Sequence, residues 1–249
     1  MTNNKAAGAR IVLGLALLGA GWTGAARAAY PTTIQFSGRT WHVKTSSGKV
    51  GPGPNLFSDS PQSVWVDQSG KLHMKIRKVG ARWHCSEVVL DENLGYGTYR
   101  FYLSSPVDAL DPQVVLGIFT WSDTADYNNR ELDIEFARWG SKNNLNAQYV
   151  VQPYNIAANI FRFNEPAGLP LSTHSLKWTP GSALFQSYAG NTPNTTPPFQ
   201  ARLFTSGVPP PGDENARINL WLYQGRAPTN KREVEIVIDT FEFIPYVGP

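Results

Sequence analysis

The chain of 249 residues holds one cysteine, Cys85, so no internal disulfide can staple it and its stability must come from its core. Cys85 itself reads as a small buried hydrophobe rather than a nucleophile, because its neighbour His84 would point to the opposite face of a strand. Histidines are few: His42, His73 and His84 stand singly, without metal-ligand spacing, and read as surface or structural residues. Charge excess is lacking too, once the leader described next is set aside. Three of the 22 basic residues (Lys5, Arg10, Arg27) lie in that leader, which leaves 19 to balance the 19 acidic ones. A balanced chain offers no polyanion-binding field, so neither nucleic acid nor a membrane surface is expected as a partner. Helical periodicity is also missing: past the leader, no stretch longer than one turn shows it.

The leader is the one long apolar run. Lys5 and Arg10 precede Ile11–Ala20, and Ala26-Arg27-Ala28 offers a small-residue processing site, the layout of a secretory signal peptide. The run is shorter than the roughly 20 residues a spanning helix needs, and no cysteine near the processing site invites a lipid anchor. The reading is a signal peptide over residues 1–28 and one domain over 29–249, secreted or periplasmic, and a monomer.

What remains is rich in short β-type runs bounded by Gly, Pro, Asn or Asp. Examples are Lys71–Lys78, Gly97–Leu103, Val114–Trp121, Asn146–Gln152 and Arg217–Tyr223. A dozen such runs without helices predict an all-β fold, a two-sheet antiparallel β-sandwich or jelly roll. Seven tryptophans fall in this part; Trp65 and Trp178 are expected in the core. Trp121 and Trp139 instead flank the stretch that carries the chemistry, where aromatic faces would suit the apolar C–H faces of sugar rings.

That stretch is Asn128–Gly140, NNRELDIEFARWG, in which Glu131, Asp133 and Glu135 alternate with Leu132, Ile134 and Phe136. Period-two alternation predicts a strand with its carboxylates in a row on one face, about 6–7 Å apart along the backbone. Two carboxyl groups, one protonated and one ionised, are what glycosidic bond cleavage requires, and crowding would raise one pKa toward neutrality. The glutamate Cα atoms would lie about 13 Å apart in a straight strand. Their long side chains must then lean together on a curved sheet, with the shorter Asp133 beneath. Spacing alone leaves other readings open: a solvated strand face, a calcium site, or an edge strand charged against aggregation.

The wider pattern resembles glycoside hydrolase family 16, the lichenase and laminarinase group. Glu131-Leu-Asp-Ile-Glu-Phe136 is similar to its active-site signature, Gly95–Phe101 to its Tyr-Gly-x-Tyr strand, and His174–Pro180 to its His-x-Tyr-x-x-x-Trp-x-Pro element, with Leu176 in place of the aromatic. The resemblance implies a jelly roll with a concave substrate cleft and a retaining endo-acting hydrolase of β-linked polysaccharide that requires no cofactor. It implies Glu131 as nucleophile, Glu135 as general acid/base and Asp133 as the residue that tunes the nucleophile. Glu87, Trp121, Trp139, Asn219 and Trp221 would bind sugar. Some members carry a structural calcium on the outer face, and no motif here decides its presence. A transglycosylase and a non-catalytic glycan-binding protein are the alternatives. One departure is Ala147-Gln-Tyr-Val-Val151, aliphatic where lichenases place a polar–aromatic pair.

Overall fold

The computed structural model describes residues 26–191 and 196–248. The leader falls almost wholly outside them; Ala28, where processing is expected to end, is the first residue of a strand. The strands are β1 (Ala28–Phe36), β2 (Arg39–Ser46), β3 (Leu56–Phe57), β4 (Val64–Val66), β5 (Leu72–Val79), β6 (Arg82–Leu90), β7 (Gly97–Leu103) and β8 (Val114–Trp121). They continue as β9 (Leu132–Ala137), β10 (Ala147–Val151), β11 (Ile160–Phe163), β12 (Ser172–Thr179), β13 (Ser182–Ala189), β14 (Gln200–Phe204), β15 (Asn215–Leu222) and β16 (Val234–Pro245).

Two antiparallel layers result. One has the order β1-β2-β6-β15-β8-β9-β10-β11; the other runs β4-β5-β16-β7-β12-β13-β14. They join at the tight β5–β6 hairpin, whose Gly80 takes the left-handed conformation (φ 59°) that such a turn needs. The first half of β6 pairs with β5, and its second half turns into the other layer to pair with β2 and β15. That switch carries Glu87 into the same sheet as the acidic row.

Alternation sorts the side chains. In β9, Leu132, Ile134 and Phe136 are buried against a single core that includes Trp41, Trp178, Phe185, Tyr149 and Met74. Trp178 is in the core as expected, its indole N–H donating to the Pro209 carbonyl at 3.0 Å. Trp65 is not: β4 is a three-residue edge strand that turns Val64 inward, so the next residue faces out. There Trp65 stacks on His73, ring centres 4.5 Å apart. Cys85 is fully buried, which pushes its thiol up to about 12.

The interior also holds a polar cluster. His174, wholly buried, hydrogen-bonds Ser187 and Ser172 through its two ring nitrogens at 2.8 and 2.9 Å. Burial lowers its pKa to about 3, so it is neutral. Glu165 lies 3.8 Å from the ring, and burial raises its pKa to about 8. Between about pH 4.5 and 8 the folded chain therefore holds a proton that the unfolded chain releases, and stability falls as pH rises, by up to about 1.4 kcal/mol per unit. Glu165→Gln, which copies the protonated acid, should leave stability near pH 5 unchanged and raise it at pH 8. Denaturant unfolding at the two pH values measures this, and an equal effect at both would refute the assignment.

Candidate active site

The register of the acid-bearing sheet sets which residues share a face. Asp133 pairs with Phe119 of β8 and Val150 of β10, and Phe119 pairs with Arg217 of β15. One step along, Glu135 pairs with Gly117 and Gln148, and Gly117 with Asn219, which pairs with Glu87. The predicted row, Glu131, Asp133 and Glu135, thus stands on one face with Glu87 and Asn219, and Trp221 beyond Asn219 packs into the buried hydrophobic cluster. The row lies on an interior strand between β8 and β10, which removes the edge-strand reading. Asp133 is only 3% exposed, which removes the solvated-face reading. Glu131 and Glu135 are half-buried on either side of it.

What meets the acids is a set of donors. Gln152 donates its amide N–H to Asp133 at 2.9 Å, and Gln148 donates to Glu135 at 2.6 Å. Gln148 is itself held by the Arg162 guanidinium, which donates to its carbonyl at 3.0 Å. These N–H donors occupy carboxylate oxygens that a calcium ion would need, so the calcium reading of the row loses ground. These partners lie in the segment that departs from the family pattern. Within Ala147–Gln152 the signal is alternation: Gln148, Val150 and Gln152 take the outward positions, and Ala147, Tyr149 and Val151 face inward.

Desolvation raises all three carboxyls. Glu131 rises to about 8, through burial first and the charge of Glu135 second, with the Arg217 charge pulling it down. Glu135 rises to about 7 through burial, against the hydrogen bond from Gln148. Asp133 rises well above the usual carboxylate range, from burial and then from both glutamates, and shares a hydrogen bond with Glu131. Burial thus raises every carboxyl of the row, and the three titrate as one interacting set.

The chain enters this strand through strained backbone. Tyr127, Asn128, Asn129 and Arg130 all have positive φ, between 50° and 59°. Non-glycine residues pay for that conformation, so the surroundings must impose it. Ser122 and Asn129 clasp each other: the Ser122 N–H donates to the Asn129 carbonyl at 2.7 Å and the Asn129 amide to the Ser122 carbonyl at 2.9 Å. The Thr120 hydroxyl donates to the Arg130 carbonyl at 2.7 Å, and Arg130 grips Asp126 with both terminal nitrogens. Tyr127, 57% exposed beside the row, is an aromatic that sequence reasoning missed, since no periodicity marks a left-handed turn.

The predicted sugar-binding residues divide. Trp121 is half-buried at the end of β8, its indole N–H donating to Asp123 at 3.0 Å. Trp139, also half-buried, packs edge-on against Trp221 and Tyr223. Glu87, Asn219 and Trp221 are sealed, at 1%, 4% and 6% exposure. Two surface depressions of about 520 and 430 Å³ lie on the second sheet, lined by residues such as Lys71 and Asp239, or Trp65 and Arg77, and include none of the acids in the row.

No protein-family model matches this chain, and neither does any curated protein. Solved structures do. A β-glucanase of Bacillus licheniformis superposes with a TM-score of 0.61 at 17% identity, over 90% of this chain and 100% of that one. A lichenase from a mouse hindgut metagenome gives 0.59 at 16% identity, over 89% and 99%. A pseudo β-1,3-glucanase of Mycobacterium tuberculosis gives 0.62 at 17% identity, over 83% and 91%. The fold is that of the family 16 β-glucanases. The expected jelly roll stands across nearly the whole length of these structures, while identities this low speak to fold alone.

In this β-glucanase fold, burial separates the tryptophans by role. Trp221→Ala would open a cavity in packed surroundings and should cost about 3–5 kcal/mol. Trp121→Ala should cost clearly less, because its ring is only half-buried. Thermal unfolding of the two variants checks this; equal losses would place both rings in the core.

Proposed function

We propose that the chain is a retaining glycoside hydrolase acting on a β-glucan-like polysaccharide by double displacement. The observation that carries the reading is the desolvated row: two half-buried glutamates on either side of a buried, protonated aspartic acid, each acid met by a hydrogen-bond donor or a neighbouring carboxyl. Glu131 acts as nucleophile. The hydrogen bond from Asp133 and the charge of Arg217 favour its ionised form. Glu135 donates its proton to the leaving oxygen, then takes one from the water that releases the sugar. Gln148 and Arg162 fix its carboxyl while it changes charge. The chemistry calls on carboxyl groups and water alone. Export of the chain, the calcium-free site and its monomeric state belong to the same proposal.

The glycan-binding alternative has one support, the pseudo β-1,3-glucanase among the structural neighbours. It requires the row to be idle, and kinetics separate the two readings. On a panel of β-glucans, Glu131→Ala and Glu135→Ala should each lose at least about a thousandfold in kcat/KM, roughly 4 kcal/mol of transition-state stabilisation. Azide should rescue Glu131→Ala to a product of inverted configuration and Glu135→Ala to one of retained configuration. Near-parental rates in both variants, or a parent that cleaves no glycan, would return the row to a structural role.

The pH profile follows from the raised pKa values. Glu131 and Glu135 titrate as one interacting set between about 7 and 8. With both protonated the row has no nucleophile; with both ionised it has no proton donor. The active form is the one in which the pair holds a single proton, which the mechanism needs on Glu135. A bell centred between these values is expected for kcat/KM. Asp133→Asn should shift or narrow it and leave measurable activity. A flat profile from pH 5 to 9 would remove the carboxyl pair from the mechanism.

A further inference from the structure

On the side of β15, the face that carries the acids is covered. By register Lys44, Glu87, Arg217 and Asn219 share this face with the row, and such charged side chains would normally be wet. Here Lys44 is 6% exposed, Glu87 1%, Arg217 6% and Asn219 4%. Beneath the cover Lys44 lies 2.9 Å from Glu87 and Arg217 3.8 Å from Glu87, while Arg217 also reaches the exposed Asp123 at 3.2 Å. Arg217 Nε and Asn219 Oδ1 are buried there without a hydrogen-bond partner.

Two pieces form the cover. The first is the turn between Val50 and Asn55, closed by backbone hydrogen bonds of 2.8 and 3.0 Å between those two residues. Asn55 pins it to β15 by donating to the Leu222 carbonyl at 2.9 Å, and Lys44 donates to the Gly51 carbonyl at 2.9 Å. Gly53 sits so close to Trp221 and the Leu222 carbonyl that even a methyl group would crowd them, at 3.4 and 3.3 Å. The second piece is Tyr30. The ladder between β1 and β2 skips Tyr30 and Pro31 opposite Lys44, and the Tyr30 hydroxyl hydrogen-bonds Arg217, beside Glu87 and Asp123.

Resting on the glycan-cleaving reading above, we propose that Tyr30 and the Val50–Asn55 turn cap one arm of the cleft, so that the chain cuts about two sugars from a chain end. From β9 to β15 is two strand gaps, about 10 Å at ~4.8 Å each, close to the length of two pyranose rings. On the opposite side, among the described residues, β11 is the last strand and Arg162 is exposed, so a chain can run out there into solvent. Endo-action, expected from the resemblance, gives way to release of short products. The arm beyond β15, which crosses β6, β2 and β1, is filled by protein instead of sugar.

Binding tests this without turnover. In a Glu131→Gln background, affinity for β-1,3-1,4-linked gluco-oligosaccharides of two to eight rings should rise to about four rings and then level within about twofold. Adding Tyr30→Ala and Asn55→Ala should restore a gain with each further ring, and the uncapped but catalytically intact chain should lower glucan viscosity faster per bond cut. Affinity that climbs steadily through six rings in the capped chain overturns the proposal. Labelling of lysine amines gives a second, ligand-free reading: Lys44 should be protected in the parent and reactive in the uncapped variant. A parent in which Lys44 reacts as fast as the exposed Lys49 refutes the cap. Failure of every oligosaccharide to bind sinks the glucan reading instead, and the labelling then decides the cap alone.

Discussion

Three carboxyl groups on one strand face repel one another and are costly to dry, and the architecture around them answers that cost. Interior placement of β9 brings support from both sides: Gln148 from β10, Gln152 just past its end, and Arg217 from β15, one strand beyond β8. None of the three neutralises the row outright. A directly paired cation would lower the carboxyl pKa values strongly; the amide donors also pull them down, but burial outweighs that pull and the acids stay weak. The row is thereby kept as a proton store, and a fold that kept its acids fully ionised would have no proton donor near neutrality.

The same strategy recurs away from the row. Glu165 and His174 are buried as neutral partners, while Lys44 and Glu87 are buried as an ion pair whose alternative, one charge without the other, would be costly. The interior thus tolerates polar groups where each has a neighbour that fixes its protonation state. Among the buried polar atoms left without a hydrogen-bond partner, Arg217 Nε and Asn219 Oδ1 lie under the cap.

Much of this was legible in the sequence where periodicity spoke. Glu131 to Phe136 gave both the strand and its wet face, because alternation encodes facing directly. Gln148 and Gln152 obey the same rule, but between aliphatic neighbours they read as a departure from a pattern rather than as partners of the acids. Strand β1 was hidden because Pro31 interrupts it and because it abuts an apolar leader. β14 follows a proline-rich stretch and is only five residues long, so no run marks it. Burial of Glu87, Asn219 and Trp221 could not be read at all: it depends on a turn more than 150 residues away from β15 in the chain, joined to it through Asn55. Facing is local and was visible; covering is tertiary and was not.

Cys85 has a consequence of a different kind. A thiol held fully inside the core and far from its thiolate cannot meet an oxidant or another thiol while the chain is folded. Folding therefore waits on no oxidising machinery, and the chain is indifferent to the redox poise of the compartment in which it is made. Two copies can cross-link only after both have opened, so a covalent dimer on a non-reducing gel is a chemical record of past unfolding.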